Sequence, residues 1–506
     1  MGATVRIELE PLGIVLDAEQ GSTLESLLAM QGVEFPCGGA GICGGCRVQV
    51  LEGATAPQEA DLLVLTDAEL AAGYRLACRI RADSPLKLKV DQWSMPVLGD
   101  DAAGAGSLRH GLAVAIDLGT TTLAAQLIDQ KTGAVLGLRT ALNPQSAYGA
   151  DVMSRVRFSL SSGELTTLIR SCLAEMIADL ADGRAMEIVE VVLVGNTVMH
   201  HLFCGLDAEP LAHVPFRSPN LGEQRFSPQQ LGWNLPASAM IRFLPCLGGF
   251  VGSDILAGIL ATGLHAGHQL RALIDLGTNG EIALGNCDRI LCASTAAGTA
   301  FEAGAIRMGM RAAVGAVSHV SWDGVRLQCD VIGDVEPRGI CGSGLIDAVA
   351  AGLDMGAILP SGRMTNGNKV MSLQHPVELY QADIRELQLA KGAIAAGLRI
   401  LLEHWGAELD DIESVYLAGA FGNYVRPRSA CRIGLLEVSA ERLIAAGNSA
   451  LRGAKLSIGV DHFPFLGIIE HVPLASDPQF EDKFFDCMSF PGGCETVAAN
   501  CVHPGD

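Results

Sequence analysis

The sequence predicts a small α+β domain followed by a larger α/β domain with two similar lobes. Residues 1–95 combine alternating apolar strands with one short amphipathic helix, whereas residues 110–490 alternate strands with helices. The small-residue run Asp100–Gly106 separates the two regions and is typical of a linker. Ala115–Thr121 is echoed by Leu273–Asn279, and such an internal repeat indicates that the two lobes arose by duplication.

Length and charge limit the organisation of the chain. Its 506 residues suggest about three compact units. We assign these units as a first domain over 1–95, a linker over 96–109, two lobes over 110–490 and an irregular tail over 491–506. The formal net charge of −21 excludes nucleic acid as an expected partner, because phosphate binding needs basic patches. An anionic membrane surface is disfavoured for the same reason.

The compartment is predicted from the cysteines and from the chain's first residues. The sequence begins with no secretory signal pattern and contains no apolar run long enough to span a membrane. The 15 cysteines are not arranged as in a small disulfide-stapled domain. We therefore predict a cytoplasmic protein whose cysteines are reduced thiols or metal ligands.

The elements of the first domain follow in a recognisable order. Val5–Leu9 and Ile14–Leu16 predict a β-hairpin, and Leu24–Leu28 predicts a short helix with one apolar face. A loop rich in glycine and cysteine follows. Arg47–Leu51 and Leu86–Val90 predict two further strands. This order of hairpin, helix, loop and strands indicates a β-grasp fold.

Four cysteines of the first domain predict a metal centre. Cys37, Cys43, Cys46 and Cys78 have the spacing C-x5-C-x2-C-x31-C, and four thiolates are what a [2Fe–2S] cluster requires. The glycines between the first three allow the loop to wrap closely, so that backbone N–H groups point at the cluster. The alternatives are a four-thiolate zinc site and buried free thiols. Structural zinc favours two short cysteine pairs, and only one is present here.

Three segments of the larger region predict a nucleotide site. Asp117 and Asp275 each end a predicted strand, where a carboxylate can hold Mg²⁺ or position water. The bend after each aspartate offers backbone N–H groups and hydroxyls to phosphate oxygens. The predicted phosphate-binding residues are Gly119, Thr120, Thr121, Thr122, Gly277, Thr278, Asn279 and Gly280. The small-residue turn Gly419, Ala420, Phe421 and Gly422 would let the backbone approach the adenosine closely. No P-loop sequence occurs, so a P-loop NTPase is excluded.

Together these segments resemble the phosphate-1, phosphate-2 and adenosine motifs of the superfamily of actin, 70-kDa heat-shock chaperones, and acetate and sugar kinases. That resemblance implies two duplicated ribonuclease H-like lobes with ATP between them. A β-grasp [2Fe–2S] ferredoxin-like domain placed ahead of such an ATPase resembles the reductive activators of corrinoid proteins. Val194–His201, Cys292–Glu302 and Gly339–Asp347 also fit that family.

The resemblance implies an activity and its partners. Members of the family use ATP to drive one electron onto a Co(II) corrinoid, and the resulting Co(I) restores a methyltransferase. The implied cofactors are a [2Fe–2S] cluster, ATP and Mg²⁺. The implied partners are a corrinoid protein and a low-potential electron donor, and a homodimer stays open. Two other functions remain: activation of another low-potential metalloenzyme, and a small-molecule kinase with a redox-sensing ferredoxin domain.

Other polar or sulfur-containing residues are interpreted as structural. His200 and His201 follow a Gly-Asn-Thr turn. We interpret this pattern as a capped helix start with one histidine buried, in preference to a contact with a corrinoid. Gly342–Gly344 begins a helix that points at phosphate or packs between the lobes. The remaining cysteines near these motifs are interpreted as small buried apolar residues: Cys292, Cys341 and Cys431. The cysteines at the end of the chain are interpreted as ordinary thiols in a loose tail: Cys487, Cys494 and Cys501.

Overall fold

The computed structural model describes most of the chain. The described residues are 4–10, 14–29, 33, 41, 46–53, 55–90, 110–149, 151–214, 216–277, 279–365, 367, 369–419 and 424–492. The predicted linker over 96–109 and most of the predicted tail lie outside them. Within the described ranges, no helix is both long enough and apolar enough to cross a bilayer.

The strands and helices are numbered in chain order. The strands are β1 Thr4–Glu10, β2 Ile14–Glu19, β3 Arg47–Glu52, β4 Tyr74–Leu76, β5 Leu86–Lys89, β6 Leu112–Leu118, β7 Thr122–Asp129, β8 Val135–Leu142, β9 Ile188–Val194, β10 Gln224–Phe226, β11 Met240–Phe243, β12 Arg271–Leu276, β13 Gly280–Gly285, β14 Ile290–Thr295, β15 Ala316–Trp322, β16 Leu327–Val331, β17 Gly339–Ile340, β18 Val370–Gln374, β19 Val377–Tyr380, β20 Ser414–Ala418, β21 Leu443–Gly447 and β22 Ile469–His471. The helices are α1 Glu25–Ala29, α2 Glu59–Val64, α3 Asp67–Ala71, α4 Val152–Ser159, α5 Glu164–Ala181, α6 Thr197–Cys204, α7 Pro228–Leu231, α8 Ser253–Thr262, α9 Gly342–Asp354, α10 Gln381–Trp405, α11 Pro427–Arg432, α12 Ser449–Leu456 and α13 Phe480–Met488.

The first domain is a five-stranded mixed sheet with the order β2-β1-β5-β3-β4. The hairpin strands β1 and β2 are antiparallel, whereas β1 and β5 run parallel in the centre of the sheet. This arrangement confirms the predicted β-grasp fold. Cys78 lies just beyond this sheet, because β4 ends at Leu76 and Ala77–Arg79 forms a 3₁₀ turn.

The larger region contains two six-stranded sheets with a shared topology. Their orders are β10-β11-β9-β6-β7-β8 and β21-β20-β12-β13-β14-β22. In each sheet three antiparallel strands are followed by two parallel ones, so β6, β7, β8, β9 and β11 correspond to β12, β13, β14, β20 and β21. Asp117 and Asp275 are each the penultimate residue of the first strand. The predicted duplication is therefore confirmed in the fold.

A layer of two helices, α8 and α12, joins the two sheets. One apolar core contains side chains of both sheets together with residues of both helices. The helices approach closely at Gly453, where an added Cβ would lie 2.0 Å from the Ala257 carbonyl oxygen. Any larger residue would push α12 away from α8, so this glycine sets the spacing of the layer that joins the lobes.

The first domain docks on the larger region through one apolar and one ionic contact. Leu142, at the end of β8, is buried in the core of the first domain. The Glu69 carboxylate accepts hydrogen bonds from Arg47 of its own domain and from Arg338 of the larger region, each at 2.5 Å. These three side chains are largely buried, with 18 %, 16 % and 10 % exposure respectively. The contact therefore joins β3, which begins directly after Cys46, to the segment leading into α9.

Candidate functional site

Most of the predicted phosphate-binding residues meet in one cleft. The described residues of the prediction that line it are Asp117, Gly119, Thr120, Thr121, Thr122, Asp275, Gly277, Asn279 and Gly419. Gly280 does not line the cleft, and an added Cβ there would meet the Ile394 side chain of α10 at 2.7 Å; its role in phosphate binding stays a prediction. Thr278, Ala420, Phe421 and Gly422 lie outside the described residues.

The bend between β6 and β7 is held by hydrogen bonds on both sides. The Gly119 N–H donates to the Thr122 carbonyl at 3.1 Å, and a Cβ on Gly119 would lie 2.5 Å from that oxygen. Asn143 Nδ2 donates to the Gly119 carbonyl at 2.9 Å. Asn196, which caps α6, donates through Nδ2 to Thr120 Oγ1 at 2.9 Å. These hydrogen bonds fix the bend against its neighbours at the wall of the cleft.

The strand β20 ends against the second aspartate. Gly419 follows this strand with a φ of +91°, a conformation that favours glycine. A Cβ at this position would lie 2.6 Å from Asp275 Oδ1 and 2.7 Å from the Leu276 carbonyl oxygen. A glycine here thus lets the start of the predicted adenosine turn lie directly beside the second aspartate.

Four carboxyl groups line the cleft, and burial raises the pKa of each of them. Burial raises the pKa of Asp117 to about 6, although Asn448 Nδ2 donates to its Oδ2 at 2.9 Å. Burial and then the charge of Asp117 raise the pKa of Asp275 to about 7. Burial, Asp275 and Asp117 together raise the pKa of Asp254 to about 8. Burial and the charge of Asp254 raise the pKa of Glu281 well above its usual range.

This electrostatic arrangement suits a divalent cation. Each carboxylate is costly to ionise chiefly because it is buried, and Asp254, Asp275 and Glu281 also meet the charge of a neighbouring carboxylate. A bound Mg²⁺ would remove that cost, and it prefers oxygen ligands of this kind. Asp117, Asp275 and Asp254 line one cleft and offer oxygen donors of the kind that Mg²⁺ takes together with water and phosphate oxygens.

The prediction from sequence missed several residues of the cleft. Asp254 lies in the first turn of α8, outside the repeated Asp-Leu-Gly-Thr pattern, so its sequence carried no signal. Asn448 caps α12 through an Oδ1 that accepts from the Leu451 N–H at 2.8 Å, and the same side chain bonds Asp117. The first residues of α9, Gly342 and Ser343, also line the cleft. Their helix N-terminus points positive charge at the site, as one of the two interpretations expected.

Two of the four predicted cluster ligands lie within the described residues. Cys46 and Cys78 are buried, with 2 % and 3 % exposure, and neither forms a disulfide. The Ala77 N–H donates to the Cys46 carbonyl at 2.9 Å, which brings the two cysteines to the same end of β3 and β4. Gly41 adopts a φ of +73°, and a Cβ there would lie 2.5 Å from Arg79 Nε.

These observations fit a cluster site. Two buried cysteines lie at the same end of β3 and β4, where they could supply two of the four thiolates of a [2Fe–2S] cluster. Cys37 and Cys43 lie outside the described residues, so their place in the ligand set stays a prediction.

The histidine pair is structural. We expected one of the two histidines to be buried, and both are buried. His200 and His201 are both fully buried in α6. His201 Nδ1 donates to the Thr197 carbonyl at 2.7 Å and its Nε2 accepts from Ser218 Oγ at 2.6 Å. The His200 ring packs edge-on against Phe243 at a centroid distance of 4.9 Å, and burial lowers its pKa to about 4.

Four of the cysteines that we interpreted as structural lie within the described residues. Cys292 and Cys341 are buried, as expected, whereas Cys431 is half-buried. Cys487 is not in a loose tail: it is buried in α13, which packs against α10. Cys494 and Cys501 lie outside the described residues.

The fold and the cleft define a class of protein: a β-grasp ferredoxin-like domain fused to a two-lobed ATPase-type domain. Three family models agree with this order. Residues 7–83 match the 2Fe-2S iron-sulfur cluster binding domain, residues 112–267 the RACo middle region, and residues 269–499 the C-terminal domain of RACo, the ASKHA domain.

Two curated relatives and one solved structure extend the match. The corrinoid activation enzyme RamQ of Eubacterium limosum is 34 % identical over 417 residues, covering 73 % of this chain and 69 % of the relative. The [Co(II) methylated amine-specific corrinoid protein] reductase of Methanosarcina barkeri is 27 % identical over 68 % of this chain and 69 % of its own length. A solved reductive activator for corrinoid, iron-sulfur protein superposes with a TM-score of 0.68 at 26 % identity, covering 97 % of this chain and 99 % of that one. The chain belongs to the family of ferredoxin-fused reductive activators of corrinoid proteins.

Proposed function

We propose that this chain uses ATP to drive one electron onto the Co(II) corrinoid of a partner protein, forming Co(I) and restoring a methyltransferase. The observation that carries the proposal is the presence, in one chain, of a buried cysteine site and an interlobe cleft lined by paired aspartates. The similarity to RamQ supports the substrate class. A low-potential reductant would supply the electron.

Different residues of the cleft would bind Mg²⁺, position water and bind the phosphates of ATP. Asp117 and Asp275 end equivalent strands, so they would hold Mg²⁺ and position the attacking water from opposite lobes. The bend Gly119–Thr122 would bind phosphate oxygens through its N–H groups and hydroxyls. The N-terminus of α9 would add favourable electrostatics from the second lobe. Together these groups would pull the lobes toward one nucleotide.

The first domain would supply electron transfer. When bound, a [2Fe–2S] cluster provides a one-electron carrier, and the proposed ligands are Cys37, Cys43, Cys46 and Cys78. The ionic contact of Glu69 with Arg338 would keep this domain against the second lobe during the reaction.

The need for ATP follows from reduction potentials. For one electron, 59 mV corresponds to a factor of ten, or about 1.4 kcal/mol. A Co(II)/Co(I) couple about 0.2 V below the cluster would therefore oppose electron transfer by about 5 kcal/mol. A nucleotide-driven closure of two lobes can supply a bias of this size if the closed state grips the corrinoid protein more tightly.

Mixing the purified chain with a reductant, ATP and a Co(II) corrinoid protein tests the proposal, with Co(I) followed by its absorbance. Asp275→Ala should abolish ATP-dependent Co(I) formation and leave the cluster spectrum intact. Cys43→Ser should lose the cluster spectrum and retain ATP hydrolysis.

Matched controls come from α5, none of whose residues lines the nucleotide cleft. Asp179→Asn and Cys172→Ser lie on α5 and should change neither property. Formation of Co(I) at the same rate without ATP would contradict the proposal. Loss of both properties in either site variant would indicate misfolding, and far-ultraviolet circular dichroism would identify that case.

A further inference from the structure

A second cluster of metal-ligating side chains lies outside the cleft. His268, in the loop before β12, approaches Cys287 and Asp288, in the turn between β13 and β14. The His268 Nδ1 atom is 3.2 Å from Cys287 Sγ and 3.2 Å from Asp288 Oδ2. All three donor atoms lie within 4.8 Å of one another. We propose that these three side chains form a surface site for Zn²⁺ or a chemically similar divalent transition metal.

The distances agree with tetrahedral coordination. Zinc binds thiolate at about 2.3 Å and imidazole nitrogen or carboxylate oxygen at about 2.0–2.2 Å. At tetrahedral angles these lengths place sulfur and nitrogen about 3.5 Å apart, and nitrogen and oxygen about 3.3 Å apart. The observed separations are within about 0.3 Å of both values, so binding requires only small side-chain shifts.

Hydrogen bonds alone do not explain why the side chains of His268, Cys287 and Asp288 lie so close together. Nδ1 of His268 carries either one proton or one lone pair, so it cannot make a full hydrogen bond to Cys287 and to Asp288 together. A single cation between the three atoms would satisfy all of them. A thiolate and a carboxylate would also neutralise its two positive charges, and thiolate with imidazole favours zinc over Mg²⁺ or Ca²⁺.

Two loops are fixed to each other beneath the site. The Cys287 N–H donates to the Gly267 carbonyl at 2.9 Å, and Asn286 Nδ2 donates to the His268 carbonyl at 3.0 Å. Asn286 Oδ1 accepts from the Asp288 N–H at 2.9 Å. Asn286 therefore holds the backbone of two proposed ligands, His268 and Asp288, without binding the metal, as supporting residues of metal sites commonly do.

The proposed site is separate from the nucleotide cleft. It lies at the start of β12, whereas Asp275 lies near the end of that strand, about 13 Å away along the strand axis. His268 and Asp288 are exposed and Cys287 is half-buried, so a metal would keep one coordination position for water. Failure of this site would therefore leave the proposed function untouched.

Titration of the full, cluster-loaded chain with Co²⁺ tests the site, because thiolate bound to Co²⁺ gives a charge-transfer band in the difference spectrum. We expect one equivalent of Co²⁺ to bind and Zn²⁺ to displace it. Cys287→Ser and His268→Gln should each remove the band. Asn286→Ala should weaken the affinity about tenfold or more. Cys329→Ser, which changes another half-buried thiol, should keep the band and the affinity.

Alkylation provides a second measurement that does not depend on a variant folding. Zn²⁺ should protect Cys287 of the unaltered chain from a thiol reagent, as read by peptide mass spectrometry, and should leave Cys329 unprotected. Equal alkylation of Cys287 with and without Zn²⁺ would overturn the proposal. Retention of the cobalt band in Cys287→Ser would overturn it equally, because the metal would then occupy other cysteines.

Discussion

The substitution Gly419→Ala should remove nucleotide binding through one misplaced carbon atom. Gly419 follows β20 with a φ of +91°, and its new Cβ would lie 2.6 Å from Asp275 Oδ1. Ordinary contact begins at 3.4 Å, so the carboxylate or the strand must move by about 0.8 Å. Asp275 ends the strand next to β20 in the sheet, so the displacement falls on the proposed Mg²⁺ ligand.

The expected loss in the free energy of unfolding of Gly419→Ala has two parts. An alanine with positive φ costs about 1–2 kcal/mol from its backbone alone. Overpacking against a fixed neighbour adds about 1–3 kcal/mol, which gives a total loss of about 2–5 kcal/mol in the free energy of unfolding. A shift of about 1 Å in a catalytic group lowers turnover about 10²-fold, so ATP hydrolysis should fall by about that factor.

A second glycine provides a matched control. Gly406 ends α10 with a φ of +83°, and an added Cβ there has no atom within 4 Å. Gly406→Ala should therefore lose only the backbone part, about 1–2 kcal/mol in urea denaturation, and should hydrolyse ATP at the unaltered rate. Comparison of the two variants by denaturation, nucleotide titration and phosphate release isolates the contact with Asp275. Equal ATP turnover in the two variants would refute the reasoning.

Three further outcomes follow from charges in the structure. The pKa of Asp254, raised to about 8, means that ionising this carboxyl destabilises the nucleotide-free protein as pH rises from about 4 to 8. Asp254→Asn should therefore be more stable than the unaltered chain at pH 8, with little difference near pH 4, and should lose Mg²⁺-dependent ATP hydrolysis. The pKa of His200, lowered to about 4, means that the folded protein loses about 3 kcal/mol as pH falls from 6.5 to 4, and His200→Phe should remove that loss in acid denaturation. Glu69→Gln weakens two charge-assisted hydrogen bonds and should lower the stability of the first domain by about 1–2 kcal/mol, measured as earlier thermal bleaching of the cluster.

Each of these outcomes has a result that contradicts it. An Asp254→Asn protein less stable than the unaltered chain at pH 8 would mean that the carboxylate is held by groups that the cleft does not show. Equal acid sensitivity with and without His200 would place the titrating group elsewhere. Glu59→Gln changes an exposed glutamate of the same domain and serves as the control. If the cluster bleached as early in Glu59→Gln as in Glu69→Gln, the hydrogen bonds of Glu69 to Arg47 and Arg338 would have no specific role.

The sequence predicted those site residues whose role depends on their immediate neighbours in the chain. Asp117 and Asp275 were found because a strand, an aspartate and a glycine bend are adjacent in the chain and occur twice. Asp254 was not found, because it reaches the cleft only through α8, which packs between two sheets that are distant in sequence. Gly280 was assigned to phosphate for the same local reason; it does not line the cleft, and its Cα packs against Ile394 of α10, a contact that no local pattern encodes.

The metal ligands show the same division between local pattern and long-range packing. The spacing of Cys37, Cys43 and Cys46 is local and carried the prediction of a cluster. Cys78 comes to the same end of the sheet as Cys46 through the pairing of β3 with β4, and its place in a 3₁₀ turn depends on where that pairing ends. The proposed site at His268 and Cys287 gave no sequence signal, because two loops separated by a hairpin create it.

The segment from Arg338 to Ser343 touches both functional parts of the molecule. Arg338 bonds Glu69 of the first domain, and Ser343 lines the nucleotide cleft within the first turn of α9. If nucleotide binding shifts this segment, the affinity of the first domain for its docked position must change. Linkage then requires the reverse effect, so Glu69→Gln, which weakens the docked position, should alter nucleotide affinity by up to the same factor. Unchanged nucleotide affinity in that variant would show that the segment is a rigid mount, and the energy of ATP would then have to reach the corrinoid through the lobes alone.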